Sequence, residues 1–96
     1  MGQSGEPLGF ELSISARNDG TLEAMYITFS NRKVARTDEV IEDVLLVDLD
    51  SHDELVGIEI LAPVKLSEVA GLVEKPMRAP FRKFIRQAAP SKLVYV

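Results

Sequence analysis

The chain has 96 residues and a mass of 10.6 kDa, which corresponds to one small domain. Hydrophobic residues make up 46% and charged residues 27% of it, a balance that excludes a globally disordered chain. The absence of cysteine excludes disulfides, a thiol nucleophile and cysteine-based zinc sites. No apolar run approaches the roughly 20 residues that span a bilayer, so the sequence predicts a cytoplasmic protein that does not bind membranes.

The charges are divided unevenly along the chain. Residues 1–61 carry four bases and thirteen acids, a net charge of −9, whereas residues 62–96 carry seven bases and two acids, a net charge of +5. Three arrangements would neutralise this basic tail: it folds back on its own body, it pairs with the body of a second copy, or it binds an external polyanion. The charges do not decide between the first two, and the third is the least favoured.

Strand patterns dominate the first two thirds of the chain. Residues 1–9 are rich in Gly, Ser, Glu and Pro and predict a disordered leader. Residues 10–62 predict an antiparallel β-meander, because no connection has the dozen or so residues that a parallel crossover requires. The first strand alternates strictly between apolar and polar side chains and ends at the turn Asn18-Asp19-Gly20. The five predicted strands cover residues 10–17, 22–29, 33–41, 44–50 and 55–61.

The fourth predicted strand differs from the others because it is apolar on both faces over residues 44–47. Such a strand fits the centre of a sheet that is covered on both sides. One set of helices covers only one face, so a second cover is needed, and a second copy of the chain would supply it. We therefore expect a homodimer.

Residues 63–96 predict a basic helical extension that belongs to the same domain. Ser67 is expected to cap a short helix that ends near Glu74. Pro80 fits the first turn of a second helix, which Pro90 ends. The second helix carries an apolar stripe at helical spacing, formed by Phe81, Phe84, Ile85 and Ala88.

This stripe is expected to cover the sheet, and residues 91–96 are expected to dock as a short strand. The predicted fold class is therefore α+β, a five-stranded antiparallel β-meander with one or two C-terminal helices packed on one face.

Several short motifs in order resemble a known family. They are Ala24-Met25-Tyr26-Ile27-Thr28-Phe29, the segment from Val34 to Val40, Val47-Asp48-Leu49-Asp50, and the segment from Leu55 to Leu61. Together they resemble domain-of-unknown-function family 2283, over roughly residues 10–62. The resemblance implies a β-meander and brings no catalytic residue. It also implies an antitoxin-like or partner-binding role, because some members are associated with small toxin-like proteins.

This sequence departs from the family pattern in two places. It has His52-Asp53 where the family turn carries an acid and then Gly, and it adds an extension of some 34 residues after residue 62.

The acidic hairpin of residues 48–59 has the spacing of a calcium loop. Its sixth position is Asp53, however, where a calcium loop needs Gly, and its flanks are strands rather than helices. We therefore expect a solvated hairpin and no metal or cofactor, with Asp48 and Asp50 as the weak candidates for a divalent ion. His52 is the only histidine, which excludes a multi-histidine metal site.

Gly57 is unusual because it lies inside a predicted strand. Glycine in a strand interior indicates a bulge or the close approach of another group. We expect the ring of Tyr26, across the sheet, to pack over it.

The functional prediction is a non-enzymatic protein–protein interaction module that forms a homodimer. An antitoxin-like partner binder or a weak nucleic-acid-binding protein is the alternative. In that alternative the basic C-terminal segment provides the contacts, through Arg78, Arg82, Lys83 and Arg86. Its phenylalanines lie on the apolar side of the predicted helix rather than among the bases, which disfavours nucleic-acid binding.

Overall fold

The computed structural model describes residues 9–96, so the predicted leader lies outside the described residues except for Gly9. Among the described residues, five strands form one antiparallel sheet, two helices follow, and two short strands form a parallel pair. The elements are β1 (Glu11–Ala16), β2 (Leu22–Thr28), β3 (Arg36–Ile41), β4 (Leu45–Leu49), β5 (Leu55–Ile60), β6 (Val64–Lys65), α1 (Leu66–Ala70), α2 (Lys75–Ala88) and β7 (Val94–Tyr95). The prediction of an α+β fold with five antiparallel strands is confirmed.

The strand order is β1-β2-β5-β4-β3, which is not that of a simple meander. The chain forms a β1–β2 hairpin and then a β3-β4-β5 meander, and β5 joins the two units by pairing with β2. The central strand is therefore β5 rather than the predicted segment 44–47. The inner face of β5 carries Ile58 and Ile60, both fully buried. The exposed strand β3 lies at the edge of the sheet. Burial of the more apolar strand explains this order.

One face of the sheet forms the core. Residues that pair across neighbouring strands point to the same face of the sheet. Two rows of buried side chains therefore cross β2, β5 and β4. The rows are Met25–Ile60–Leu45 and Ile27–Ile58–Val47.

The opposite face is more polar, and Leu46 lies half-buried on it between Glu39 and Glu59. Within one chain the helices cover only the face that carries Leu45 and Val47, so cover of the Leu46 face by a second copy stays a prediction.

Both helices begin earlier than the sequence pattern indicates. α1 starts at Leu66, its N-cap is Lys65, and Ser67 lies inside the helix without capping it. α2 starts at Lys75, so Pro76 occupies the first turn and Pro80 lies in the helix interior. In an α-helix the N–H of residue 80 would bond to the carbonyl of residue 76, so Pro80 removes one bond near the N-terminal end, where few turns depend on it.

The end of α2 and the tail follow the prediction. Ala89 has φ −86° and ψ 140°, the extended conformation that a residue before proline favours, so Pro90 ends the helix. Val94–Tyr95 then pairs in parallel with Val64–Lys65, which confirms the docked C-terminal strand.

Three of the four residues of the apolar stripe of α2 pack against the core of their own chain, so the tail folds back on its own body, whereas Ala88 is exposed. Phe81 and Ile85 are buried, and Phe84 is half-buried against the same core. The ring of Phe81 lies 5.5 Å from that of Phe10 and 5.6 Å from that of Phe29, centroid to centroid. Aromatic packing thus fixes the helix to the start of β1 and the end of β2.

Among residues 9–96, neither helix has the length and apolar character needed to cross a membrane.

Candidate functional site

The face of the sheet opposite the core, which we call the open face, carries three hydrogen-bonded side chains. They lie on β2, β4 and β3, and the network passes over β5. The hydroxyl of Tyr26 on β2 donates to Asp48 Oδ2 on β4 over 2.6 Å, and Thr37 on β3 donates to Asp48 Oδ1 over 2.5 Å. Between them, on β5, lies Gly57, where an added Cβ atom would sit 1.9 Å from the Tyr26 oxygen. The predicted packing of the Tyr26 ring over Gly57 is confirmed.

This network holds strands together rather than offering a reactive group. Burial raises the pKa of Tyr26 well above its ordinary value, and the hydrogen bond to Asp48 and its charge raise it further. The phenol therefore stays protonated and serves as a donor. Asp48 accepts one hydrogen bond on each carboxylate oxygen, so both oxygens are engaged by neighbouring strands of the sheet.

Asp50 organises the hairpin between β4 and β5 from a buried position. It is 4% exposed, and its Oδ1 accepts the backbone N–H groups of His52 at 2.7 Å and Glu54 at 2.9 Å. Its Oδ2 lies 2.7 Å from Nε of Arg32, which comes from the connection between β2 and β3. This ion pair joins two loops at one end of the sheet.

The same hairpin explains one departure from the family pattern. Asp53 adopts φ 64°, the left-handed conformation for which glycine is the usual residue. Aspartate tolerates this conformation better than most residues, and Arg36 holds the Asp53 carboxylate in an ion pair. The turn is therefore kept without glycine.

The two candidate metal ligands are not brought together. Asp48 binds Tyr26 and Thr37 on the open face, whereas Asp50 binds backbone N–H groups and Arg32 at the hairpin. Within the part of the chain that the structure describes, no three His, Cys, Asp or Glu residues are grouped as metal ligands would be. His52 is exposed at the hairpin tip.

Acid should weaken the fold through Asp50. Backbone hydrogen bonding from Glu54, with smaller contributions from His52 and Arg32, lowers the pKa of Asp50 below its ordinary value of 3.8. The folded state binds this proton less readily than the unfolded state does, so the stabilisation is complete well above pH 3.8 and is lost as the pH falls through the lowered pKa.

We expect the Asp50→Asn variant to be less stable than the wild type at pH 7 and to lose less stability between pH 5 and pH 2. Chemical denaturation at a series of pH values measures this, with Glu42→Gln in the exposed turn between β3 and β4 as the control for solvent-facing carboxylates. Parallel losses for the wild type and Asp50→Asn would contradict this role for Asp50.

The four basic candidates have different environments. The Arg78 side chain donates to the carbonyl oxygens of Val73 at 2.7 Å and Gly71 at 3.2 Å, so it holds the loop between the helices. Arg82 is half-buried, and Lys83 and Arg86 are exposed. Their neighbours on α2 include no acidic residue, and no carboxylate of residues 9–96 forms a salt bridge with them.

The two edges of the sheet differ in how they are protected. The β3 edge carries Arg36, Asp38 and Glu39, and its pairing with β4 is irregular between Glu39 and Ile41. The β1 edge has Glu11 as its one charged residue and no proline, and its pairing with β2 is regular from Glu11 to Ser15 and irregular between Ser15 and Ala16. Ile14 is 45% exposed there. Each edge strand has one irregularity, so the edges differ mainly in charge. Charged side chains are a usual means of blocking edge pairing, so β1 is the more open edge.

A family model described as "protein of unknown function (DUF2283)" matches residues 19–62. The resemblance expected from the sequence motifs is thus confirmed over the segment from the first turn to the end of β5. All of β1 and both helices lie outside the match. Among curated proteins and among solved structures, no significant match to this chain is found.

Proposed function

We propose that the protein is a non-enzymatic, cytoplasmic protein–protein interaction module that forms a homodimer through the free edge of β1. The observation that supports this proposal is the β1 edge, which has a single charged residue, no proline and a half-exposed Ile14. The titratable groups of the open face and the hairpin hold strands and turns, which supports an interaction role over a catalytic one.

A twofold axis through the middle of β1 gives a favourable antiparallel pairing. With Ser13 opposite its own copy, Leu12 lies opposite Ile14 and Glu11 lies opposite Ser15. Apolar side chains then meet on the inner face, and no like charges face each other across the junction. Two sheets of five strands would become one continuous sheet of ten.

Dimerisation should respond to charge at the centre of β1. In the Ser13→Lys variant two ammonium groups would face each other across the axis, so we expect the dimer dissociation constant to rise at least about tenfold, which corresponds to about 1.4 kcal/mol. Sedimentation equilibrium measures this, with Ser13→Thr as the matched control. The wild type and the control should show twice the chain mass of 10.6 kDa.

A wild-type mass of 10.6 kDa at every concentration up to the millimolar range would contradict the dimer. Equal dissociation constants for Ser13→Lys and the wild type would contradict the β1 edge as its interface.

A second candidate function is antitoxin-like partner binding or weak binding of nucleic acid through the basic C-terminal segment. The observation that favours it is α2 itself, which carries two lysines, three arginines and no acidic residue. Lys83 and Arg86 are exposed on the side away from the core, where phosphate groups could reach them.

The double variant Lys83→Glu/Arg86→Glu should therefore abolish binding to a labelled duplex, and binding by the wild type should fall steeply with salt. Fluorescence anisotropy over a salt series measures both effects. The control is Lys33→Glu, an exposed base outside the helix. Absent or salt-insensitive binding by the wild type would contradict this candidate.

A further inference from the structure

A cleft of about 570 Å³ opens between one end of the sheet and the segment that joins α1 to α2. Its volume falls in the range of about 300–1,000 Å³ that is typical of small-molecule sites. Apolar side chains line it from both sides, and most of them are only partly buried. They include Phe29, Leu49 and Leu55 on the side of the sheet and Leu72, Val73 and Met77 on the helical side.

The exposure of these side chains distinguishes the cleft from the core. Met77 is 39% exposed, and Leu49, Leu55 and Leu72 are half-buried, although all three pack against the core cluster. A ligand with an apolar body would remove this surface from water, which favours binding by about 25 cal/mol for each Å² covered.

The mouth of the cleft is negatively charged. Asp53, Glu54 and Glu74 line it, against the single base Arg32. Arg32 is engaged by Asp50 at 2.7 Å and by Glu54 at 3.5 Å, so its charge is largely neutralised within the protein.

Glu74 at the mouth forms no salt bridge with the described residues, and Glu54 stays largely exposed although it lies 3.5 Å from Arg32. The Glu54 side chain is 65% exposed, and Glu74 is exposed at the N-cap of α2. No salt bridge joins Glu74 to a base of residues 9–96, and its neighbour Lys75 does not line the cleft. A cation at the mouth would be attracted and an anion repelled.

We propose that this cleft binds a small amphiphilic cation, an organic amine with an apolar body. The apolar body would lie against Leu55, Leu72 and Met77, and the ammonium group would lie between Glu54 and Glu74. This inference is independent of the β1 interface, because none of the cleft residues named here belongs to β1.

Three probes of equal chain length separate the charge contribution from the apolar one. Octylammonium, octanoate and 1-octanol are titrated into the full-length protein, and chemical shifts of backbone amides and side-chain methyl groups are followed by NMR. We expect octylammonium to shift the signals of Leu55, Leu72 and Met77 and to bind at least about tenfold more tightly than octanoate.

The Glu74→Gln variant should weaken octylammonium binding about three- to tenfold and leave 1-octanol binding unchanged, because only the charge at the mouth is removed. Glu68→Gln is the matched control, since Glu68 is an exposed acid in the first turn of α1 that does not line the cleft. Both substitutions are at the surface and are expected to leave the fold intact.

Three results would overturn the proposal. The first is equal affinity for octanoate and octylammonium, the second is an unchanged octylammonium affinity in Glu74→Gln, and the third is a set of shifts that lies away from the cleft. Nuclear Overhauser contacts between residues 1–8 and the methyl groups of the cleft in the free protein would also overturn it, because the chain itself would then occupy the cleft.

Discussion

Replacing Phe81 with alanine should lower the free energy of unfolding by about 3–5 kcal/mol. The side chain is 0% exposed, and its ring contacts those of Phe10 and Phe29, so the substitution would leave a cavity between α2 and the sheet. Small domains are stable by only about 5–15 kcal/mol, so this loss is a large part of the total. Urea denaturation followed by circular dichroism measures it.

The matched control is Phe84→Ala, one turn further along the same helix. Phe84 is half-buried and its ring contacts that of Phe10 at 5.6 Å, so its removal should cost clearly less than removal of Phe81. Equal and small losses for the two variants, below about 1 kcal/mol, would contradict the packing of α2 on the sheet.

Replacing Gly57 with alanine should destabilise the protein by about 1–3 kcal/mol, although the same change in an unobstructed strand stabilises by about 0.5–1 kcal/mol. An added Cβ would lie 2.3 Å from Cζ of the Tyr26 ring, which is itself held by the 2.6 Å hydrogen bond to Asp48. The ring would have to leave its position and give up that bond. Thermal and urea denaturation measure the change.

A double-mutant cycle identifies the cause. In a Tyr26→Ala background the obstruction is gone, so Gly57→Ala should become neutral or stabilising, with a coupling energy of about 1–3 kcal/mol. Gly71→Ala is the control, because Gly71 has φ −64° and a Cβ there would meet its nearest atom at 3.4 Å. A Gly57→Ala variant as stable as the wild type would contradict the close approach of Tyr26.

Local patterns in the sequence predict many of the elements of this fold. The strict alternation of residues 10–17 predicts β1, and Gly20 at φ 90° completes the turn that Asn18-Asp19-Gly20 indicates. The helical spacing of Phe81, Phe84 and Ile85 predicts which side of α2 meets the core. These signals succeed because each depends on residues close together in the chain.

The strand order could not be obtained in the same way. Pairing of β5 with β2 joins residues 25–28 to residues 57–60, and nothing in either segment alone specifies that partner. The apolar character of residues 44–47 indicates an inner strand, which β4 is, but β5 lies closer to the centre. The start of α2 was missed because Pro80 is a strong initiation signal, and Pro76 serves that role instead.

The candidate sites also differ in whether local sequence could predict them. Gly57 inside a strand indicated a close approach, and Tyr26 supplies it. The ion pair between Arg32 and Asp50 and the cleft beside it depend on which loops meet at one end of the sheet. The residues that line that cleft lie between positions 9 and 77 in separate segments of the chain, so no spacing rule in the sequence indicates it.

Amide hydrogen exchange in α2 tests the central claim, that the helix is bound to the sheet through its apolar side. We expect the amides of Phe84 and Ile85 to exchange as slowly as those of Ile58 and Ile60, since helix and central strand then open only together. Exchange of residues 81–88 at the rate of an unstructured chain, with β5 still protected, would contradict the account.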